Sequence, residues 1–421
     1  MIKNIYAFLL ILTLELIFNN FIFAQTGKWT QLFPQNSPEG RDSHGMAYLG
    51  DDKILLFGGT DKYNLLSDTW IYDLSENTWT EVICDTFPRA CEYPAMSYID
   101  VNKAFLFGGQ TLEPSKGYSD STWIFDLDKM KWQFMAPIRH PYKRYRSACT
   151  YMGNNKILLH SGELCPDDFF CSDTWIYDLR TNNWDSIATD KVPSGETQMM
   201  CQLDSENILL YGGWWGGYIP EIYFFNKETY NYKLIKPNKD NIWRSKSAMV
   251  NLIDGIALTF GGDTYDVIDS IRNQFNNDTW LFNIKDTTWI ELKPENIPPR
   301  RYWHNMVKIG EGKAILFGGI GAGYLNDTWL FEYDPTSIKE DGTNKLIDFI
   351  QKRSKIEINL KENNNYIIEI QIFDYLGNLI RIINVNSNHS SINTLEFPNG
   401  IYILQVITKK FNWNKIILNN K

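Results

Sequence analysis

The stretch RYWHNMVKIGEGKAILFGGIGAGYLNDTWLFEYD, from Arg301 to Asp334, contains the pattern that decides the fold of this chain. It holds three short apolar runs, two of them alternating, separated by a Gly-Glu-Gly turn and a glycine-rich loop. Apolar runs of this length, bounded by turn residues, are typical of β-strands. The stretch therefore predicts three consecutive strands.

Pieces of this stretch recur throughout the first 334 residues. A Gly-Gly pair occurs at Gly58-Gly59, Gly108-Gly109, Gly212-Gly213, Gly261-Gly262 and Gly318-Gly319, with Ser161-Gly162 as a degenerate copy. An Asp-Thr-Trp motif or a close variant follows, with its tryptophan at Trp70, Trp123, Trp175, Trp280 and Trp329. A repeat of about fifty residues with four strands is typical of a propeller blade, and this period is that of kelch repeats. The chain resembles the kelch-repeat proteins, and we predict an all-β fold, a six-bladed kelch β-propeller followed by a small C-terminal β-sandwich.

The two ends of the repeat region predict how the ring closes. Each predicted fourth strand carries one aromatic residue, namely Trp79, Trp132, Trp184, Tyr232 and Trp289, but none follows the sixth Asp-Thr-Trp. The segment Gly27-Lys-Trp29-Thr-Gln-Leu32 precedes the first repeat and has no blade in front of it. We therefore expect the Trp29 strand to be the outer strand of blade six, which leaves no long open edge. In blade four, Pro220-Glu221-Ile222 is assigned to the place of Asp-Thr-Trp.

The sequence predicts a signal peptide at residues 1–24, the propeller at 25–334, a linker at 335–352 and the sandwich at 353–421. Lys3 precedes a mostly apolar run that ends at Phe23-Ala24, as in a secretory signal peptide, and an uncleaved anchor is the alternative. Cleavage after Ala24 predicts a mature protein that leaves the cytoplasm without a stable membrane span. The linker is polar, with weak helical character from Leu346 to Ile350.

The tail contains three short motifs: Ile372-Phe-Asp-Tyr-Leu-Gly-Asn378, Phe397-Pro-Asn-Gly-Ile-Tyr402 and Lys415-Ile-Ile-Leu418. In this order they resemble the C-terminal type A sorting domain of the type IX secretion system of Bacteroidota, although the Pro-Asn-Pro opening common in that family is missing. The resemblance implies passage through the periplasm and outer membrane by the type IX machinery, removal of the domain, and release or surface attachment. A plain carbohydrate-binding or spacer sandwich is the alternative.

Charge and cysteine content limit the partners and the redox chemistry. The net charge of −9, without a basic run, argues against a nucleic-acid partner. Six cysteines are compatible with an oxidising compartment. Two spacings allow a disulfide that staples a loop, although spacing does not fix connectivity: Cys84 with Cys91, and Cys165 with Cys171. We expect Cys149 and Cys201 to be small buried residues.

Strand direction places the loops after the Gly-Gly pairs on one face of the ring, the long-loop face, where a binding site is expected. Alignment of the repeats puts an arginine at one equivalent position in four blades and a histidine three residues later in two: Arg41, Arg144, Arg244 and Arg301, and His44 and His304. In kelch proteins an arginine here often borders the central channel, so the resemblance implies a positive rim suited to a carboxylate, phosphate or sulfate. The alternative is that each arginine pairs with a carboxylate of a neighbouring blade, or with a carbonyl. Because Ser147 and Ser247 replace the histidines elsewhere, no metal site is predicted.

The loop after Gly213 carries Trp214, Trp215 and Tyr218 beside two glycines. Adjacent exposed aromatic rings are used to stack on sugars or to anchor peptides. The alternative is that these rings cover the weak third strand of blade four. We retain both interpretations.

These features favour a secreted or cell-surface binding protein, without a cofactor, that recognises a protein, peptide or glycan on the long-loop face. The fold alone is only an associational argument for function. Because some periplasmic kelch proteins isomerise sialic acids, the resemblance also implies an alternative, a sugar mutarotase or epimerase. Its candidates by location are Arg301, His304 and Glu163, which could hold a carboxylate and move a proton. A copper enzyme similar to galactose oxidase is disfavoured, since the chain has only five histidines.

Overall fold

The computed structural model describes residues 25–100, 102–112, 117–164, 169–190, 193–237, 243–266, 271–294, 296–338, 347–352, 355–361, 366–374, 379–398, 400–409 and 412–419. The predicted signal peptide lies outside these residues. Gly27–Tyr333 forms one compact unit, and Asp334–Lys421 belongs to a second. The regular elements of the described residues are β-strands and one 3-10 turn, Thr394–Glu396. The predicted all-β class is confirmed.

The repeats form six four-stranded sheets. The first strands are Gly45–Gly50, Ala95–Asp100, Ala148–Gly153, Met199–Gln202, Ala248–Ile253 and Asn305–Gly310. The second strands are Lys53–Phe57, Lys103–Phe107, Lys156–His160, Asn207–Tyr211, Ile256–Phe260 and Lys313–Phe317. The third strands are Thr69–Asp73, Thr122–Asp126, Thr174–Asp178, Ile222–Asn226, Thr279–Asn283 and Thr328–Ile338. The fourth strands are Thr78–Glu81, Lys131–Phe134, Asn183–Ile187, Asn231–Ile235, Thr288–Leu292 and, for the last blade, Gln25–Leu32.

The first strands contact one another from blade to blade, and Asn305–Gly310 of blade six contacts Gly45–Gly50 of blade one. These strands therefore surround a central channel. Gln25–Leu32 lies beside Thr328–Ile338 as the outer strand of blade six, so the two ends of the repeat region meet in one sheet. Two three-stranded sheets lie above the blades: Cys91–Glu92, Gln110–Thr111 and Gly117–Tyr118, and Arg244–Ser245, Asp263–Asp266 and Ile271–Phe275.

In four of the six blades, the Thr of Asp-Thr-Trp or of its variant bonds to a tryptophan of the next blade. The indole N–H of a fourth-strand tryptophan donates to the hydroxyl of the preceding blade's threonine, at 3.0 to 3.2 Å, in the pairs Trp79–Thr328, Trp132–Thr69, Trp184–Thr122 and Trp29–Thr279. All four indoles are buried. A buried donor without a partner is costly, so a threonine at this position is favoured.

Blade four departs from this pattern in a way that corrects the sequence alignment by one residue. Ile222 pairs with Tyr211 as Thr69 pairs with Phe57 in blade one, so Glu221-Ile222-Tyr223 takes the place of Asp-Thr-Trp. Ile222 has no hydroxyl, and the indole N–H of Trp289 in the next blade lacks a partner.

The predicted Cys84–Cys91 disulfide is wrong, since both cysteines are free. Cys91 is buried, and its backbone carbonyl accepts a hydrogen bond from the N–H of Gly59 at 2.9 Å. The thiol of Cys84 instead faces the carbonyl of Met130 at 3.6 Å. Cys149 and Cys201 are also free, as small residues near the channel. Cys171 is disulfide-bonded, and Cys165 lies outside the described residues.

The second unit contains two sheets, one ordered Ile347–Lys352, Lys355–Leu360, His389–Asn393 and the other Leu379–Ser387, Ile367–Asp374, Gly400–Thr408, Asn412–Asn419. Both contribute to one apolar core, for example through Ile358, Ile370 and Leu404. The predicted linker is corrected, because Ile347–Lys352 is a strand: Phe349 pairs with Ile358 and packs on the core. Ile347 and Phe349 lie two residues apart in this strand, and Ile350 is on the opposite face from Phe349, 44% exposed.

Candidate functional site at the mouth of the channel

The four repeated arginines are buried, each exposed by 1% or less. Arg301 donates to the carbonyl of Gly318 at 3.0 Å and to both carboxylate oxygens of Asp327 at 2.6 Å. Asp327, the Asp of Asp-Thr-Trp, also accepts from Trp329 at 2.7 Å. The same clamp joins Arg41 to Asp68 and Arg144 to Asp173, whereas Arg244 makes a single bond to Asp278, at 2.7 Å. The expected positive rim is corrected, because each guanidinium is buried and pairs with a carboxylate of its own blade.

The two histidines also lie inside the ring. His44 packs edge-on against Phe317, and His304 packs in the same way against Phe260. Within the described part of the chain, neither ring nitrogen of either histidine meets a hydrogen-bond partner of good geometry. Burial lowers the pKa of His44 to about 3 and lowers that of His304 well below its usual value. Both are therefore neutral packing residues between blades, which corrects their assignment to a ligand rim.

A different position of the same motif faces the channel mouth. In each blade, one residue lies two positions after the clamp arginine, or after Cys91 and Gly195, which replace it in blades two and four. We call these six residues the collar: Ser43, Tyr93, Arg146, Thr197, Lys246 and Trp303. All six have a left-handed backbone, with φ between 54° and 59°. Their peptide groups are linked from blade to blade: the N–H of Tyr93 donates to the carbonyl of Ser43 at 2.8 Å, and that of Ser43 to Trp303 at 3.0 Å. The collar is thus a backbone ring at the end of the channel from which the long loops extend.

Arg146 is the centre of the collar's densest side-chain cluster. It donates to Glu163 at 2.7 Å and to Glu196 at 2.5 Å. Its guanidinium lies 4.5 Å from the ring centre of Tyr93 and 5.0 Å from that of Tyr145, which donates its hydroxyl to Glu163. Burial, and then the bond to Glu163, raises the pKa of Tyr145, so this hydroxyl stays protonated.

A second cation, Lys246, lies on the other side of Trp303. Its ammonium group is 3.0 Å from a carboxylate oxygen of Asp263 and 5.3 Å from the ring centre of Trp303. The hydroxyl of Tyr218 donates to the other oxygen of Asp263 at 2.9 Å. The blade-four loop therefore reaches the mouth.

The other two rings of this loop differ in exposure. Trp214 packs edge-on against Tyr218 at 5.2 Å, whereas Trp215 is 58% exposed. The structure thus brings Tyr218 and Trp214 to the mouth and leaves Trp215 accessible beside them.

Asp42 and Glu92 form a third acidic group at the mouth. Asp42 is 1% exposed, and no described residue donates a hydrogen bond of good geometry to its Oδ1. Burial, with a smaller contribution from the charge of Glu92, raises the pKa of Asp42 to about 7. Burial also raises the pKa of Glu92. Sequence reasoning missed the collar and this pair, although both occupy the variable positions of the Arg-x-x-His/Ser pattern.

The central channel lies behind the collar. It contains a cavity of about 610 Å³ that is lined by first-strand residues, among them Met46, Met96, Met200, Met249 and Met306. Polar side chains, among them Gln202, Asn251 and Lys308, line the same cavity. In the part of the chain that the structure describes, no His, Cys, Asp and Glu cluster could hold a metal ion. No helix among these residues is long and apolar enough to cross a membrane.

The structure does not bring Arg301, His304 and Glu163, the candidates for an isomerase, together in one site. Arg301 and His304 are buried in blade six, and Arg301 is engaged by Asp327. Glu163 belongs to the Arg146 cluster of blade three, where its two oxygens accept from Arg146 and Tyr145.

Two family models match the chain. The KLHDC2/KLHL20/DRC7 Kelch-repeats domain matches residues 17–213 and 188–340, which together exceed half of the chain. The secretion system C-terminal sorting domain matches residues 352–419. The sorting domain indicates type IX secretion to the cell surface or the extracellular space. It is the match expected from the tail motifs.

Curated relatives are distant. Kelch repeat-containing protein 2 of Saccharomyces cerevisiae is 22% identical over 326 residues, which cover 72% of this chain and 36% of that protein. Kelch domain-containing protein 2 of Bos taurus is 25% identical, over 39% of this chain and 41% of that protein. The tRNA wybutosine-synthesizing protein 4 of Candida glabrata is 25% identical, over 68% and 43% respectively. The chain spans less than half the length of each of these relatives.

Proposed function

We propose that this chain, which belongs to the kelch-repeat family and carries a type IX sorting domain, binds an extracellular protein, peptide or glycan at its channel mouth. The collar, the Trp214–Tyr218 loop and the carboxylates around them form the binding surface. No catalytic step is assigned to it.

The observation that carries this proposal is the contrast between collar backbone and collar side chains. Six equivalent positions share one left-handed conformation, yet they carry Ser, Tyr, Arg, Thr, Lys and Trp. For residues with a Cβ this conformation costs roughly 1–2 kcal/mol each, and glycine would avoid that cost. If the only role of these positions were to adopt the left-handed backbone conformation, glycine would fill it at lower cost. The side chains are therefore best explained by what they present to a ligand, because backbone strain is concentrated at functional sites.

The chemistry of the mouth suits a polar ligand with flat apolar faces. Tyr118 stacks on Tyr145 with ring centres 5.2 Å apart, and Trp303 contacts Tyr93 at 5.4 Å. Such rings supply large contact areas at low entropic cost, and the adjacent charged groups fix orientation. Peptides and glycans both offer this combination of faces and hydrogen-bonding groups.

The test uses the full mature chain on an array of extracellular glycans and peptides. Trp303→Gly and Tyr93→Gly remove collar side chains while relaxing the left-handed backbone, so folding should be preserved. The matched control is Asn154→Gly, an exposed left-handed residue in a turn on the opposite face. We expect specific hits that are lost in the two collar variants and retained in the control. Hits that survive both collar variants would place binding elsewhere and contradict the proposal.

A further inference from the structure

Three acidic groups surround the mouth, and two of them hold a cation that the chain itself supplies. Glu163 and Glu196 hold Arg146, and Asp263 holds Lys246. In both groups the cation also lies over aromatic rings: Arg146 over Tyr93 and Tyr145, and Lys246 over Trp303 and Tyr302. Carboxylates on one side and ring faces on the other are the two attractions that a cation receives in a protein site.

The third group, Asp42 and Glu92, lies near tyrosine side chains but holds no cation of this kind. The charges of both carboxylates act on Tyr93 and on Tyr324, and that of Asp42 also acts on Tyr302. Among the described residues, no lysine, arginine or histidine makes an ion pair with either carboxylate. The guanidinium of Arg146 is near enough to affect both groups, but its hydrogen bonds go to Glu163 and Glu196.

The buried oxygen of Asp42 is an independent observation. Asp42 is almost fully buried, and among the described residues none donates a hydrogen bond of good geometry to its Oδ1, although the hydroxyl of Ser43 lies near enough to lower the pKa of this carboxyl. An unpaired buried carboxylate is unfavourable by several kcal/mol unless it is protonated or finds a cation. The repeat does not require an acidic residue here, because Tyr145, Ser245 and Tyr302 occupy the equivalent position in three other blades; the acidic residue of blade four, Glu196, pairs with Arg146.

We propose that Asp42 and Glu92, framed by Tyr93, Tyr302 and Tyr324, form a subsite for the cationic group of a ligand, an ammonium or a guanidinium. This inference rests on the proposed function and names one chemical group of its ligand. The cationic group of the ligand would lie against Asp42 and Glu92, just as Arg146 lies against Glu163 and Glu196 and Lys246 lies against Asp263.

The experiment measures binding to the full mature chain by calorimetry, with two sets of probes. The first set is acetylated and amidated pentapeptides Gly-Ser-X-Ser-Gly, in which X is lysine, arginine, norleucine or glutamate. The second set is glucosamine and N-acetylglucosamine. The variants are Glu92→Gln and Asp42→Asn, which remove charge from the subsite. Glu76→Gln, an exposed residue of a turn on the opposite face, is the control with the same change of charge.

We expect the lysine or arginine peptide, or glucosamine, to bind at least about tenfold more tightly than its uncharged counterpart, and the preference to fall about tenfold in Glu92→Gln and Asp42→Asn. Glu76→Gln should keep it. Preference for the peptide or for the sugar identifies the source of the cation. Equal binding of charged and uncharged probes, no binding of any cationic probe at millimolar concentration, or a preference that both subsite variants retain would overturn the inference. Binding of uncharged probes that Trp303→Gly abolishes would leave the proposed function standing while the cation subsite fails.

Discussion

Replacing Arg301 by methionine distinguishes a structural clamp from a ligand rim. The guanidinium of Arg301 is fully buried and makes hydrogen bonds to Asp327, Gly318 and, through Nε, the carbonyl of Pro299 at 3.0 Å. Methionine fills a similar volume but supplies no donor. The substitution therefore leaves Asp327, with its side chain 16% exposed, without its counter-charge.

Breaking a buried ion pair from one side costs about 3–5 kcal/mol. For a unit of roughly 300 residues the unfolding entropy is about 0.6 kcal/mol per degree, so the melting temperature should fall by about 5–8 °C. Arg301→Lys should lower the melting temperature by less than Arg301→Met does, because lysine keeps the positive charge. It should still lower it, because lysine cannot make the two parallel hydrogen bonds.

The assay is thermal unfolding of the full mature chain, followed by tryptophan fluorescence. The double variant Arg301→Met with Asp327→Asn is the matched control, since it removes the orphaned charge and should recover part of the loss. An unchanged melting temperature for Arg301→Met would refute the structural role of Arg301. If ligand binding were lost at unchanged stability, Arg301 would instead belong to a ligand-binding rim.

Three further predictions follow from the described contacts. Thr279→Val removes the acceptor for the indole of Trp29 and should cost about 1–3 kcal/mol in chemical denaturation, whereas Thr279→Ser, which keeps the hydroxyl, should cost less; equal losses would show that the hydrogen bond is not the cause. Trp29→Ala should cost about 3–5 kcal/mol, and a loss below 1 kcal/mol would show that the Trp29 strand is not needed to close the ring. The pKa of Asp42 is about 7 in the fold, against a usual value of 3.8, so the fold keeps a proton that the unfolded chain releases. Its contribution to stability is therefore lost as pH rises from about 4 to about 7, and Asp42→Asn should flatten that part of the stability profile; a profile identical to that of the parent would contradict the raised pKa.

The scaffold could be predicted from sequence because each of its residues repeats with its partner. The Thr of Asp-Thr-Trp and the fourth-strand tryptophan recur together, and the structure joins them through one hydrogen bond, as between Thr328 and Trp79. The Asp of the motif recurs with the clamp arginine, as Asp327 does with Arg301. Sequence reasoning recognised these positions, but assigned the arginines to a ligand because an isolated sequence does not show which charges are buried.

The collar could not be predicted in the same way, for two physical reasons. Left-handed backbone is usually inferred from glycine or asparagine, and the collar residues Tyr93, Lys246 and Trp303 give no such signal. The acidic residues that meet at the mouth are also distant in sequence: Glu163 and Glu196 approach each other only because both reach Arg146. Such convergence depends on the ring geometry and not on any local spacing.

In a repeat protein, the identity of a residue and its position carry different information. A residue type that recurs, such as the arginine of Arg41 and Arg301, satisfies the same structural demand in each blade that carries it, and here that demand is an internal ion pair. A position that recurs while its residue type varies has a constant backbone role and a free side chain, as the collar does. Asp42 and Glu92 extend this reasoning, since their position carries tyrosine or serine in three other blades and, in blade four, a glutamate that pairs with Arg146. Two adjacent blades that place uncompensated carboxylates there therefore point to a ligand outside the ring and not to the fold.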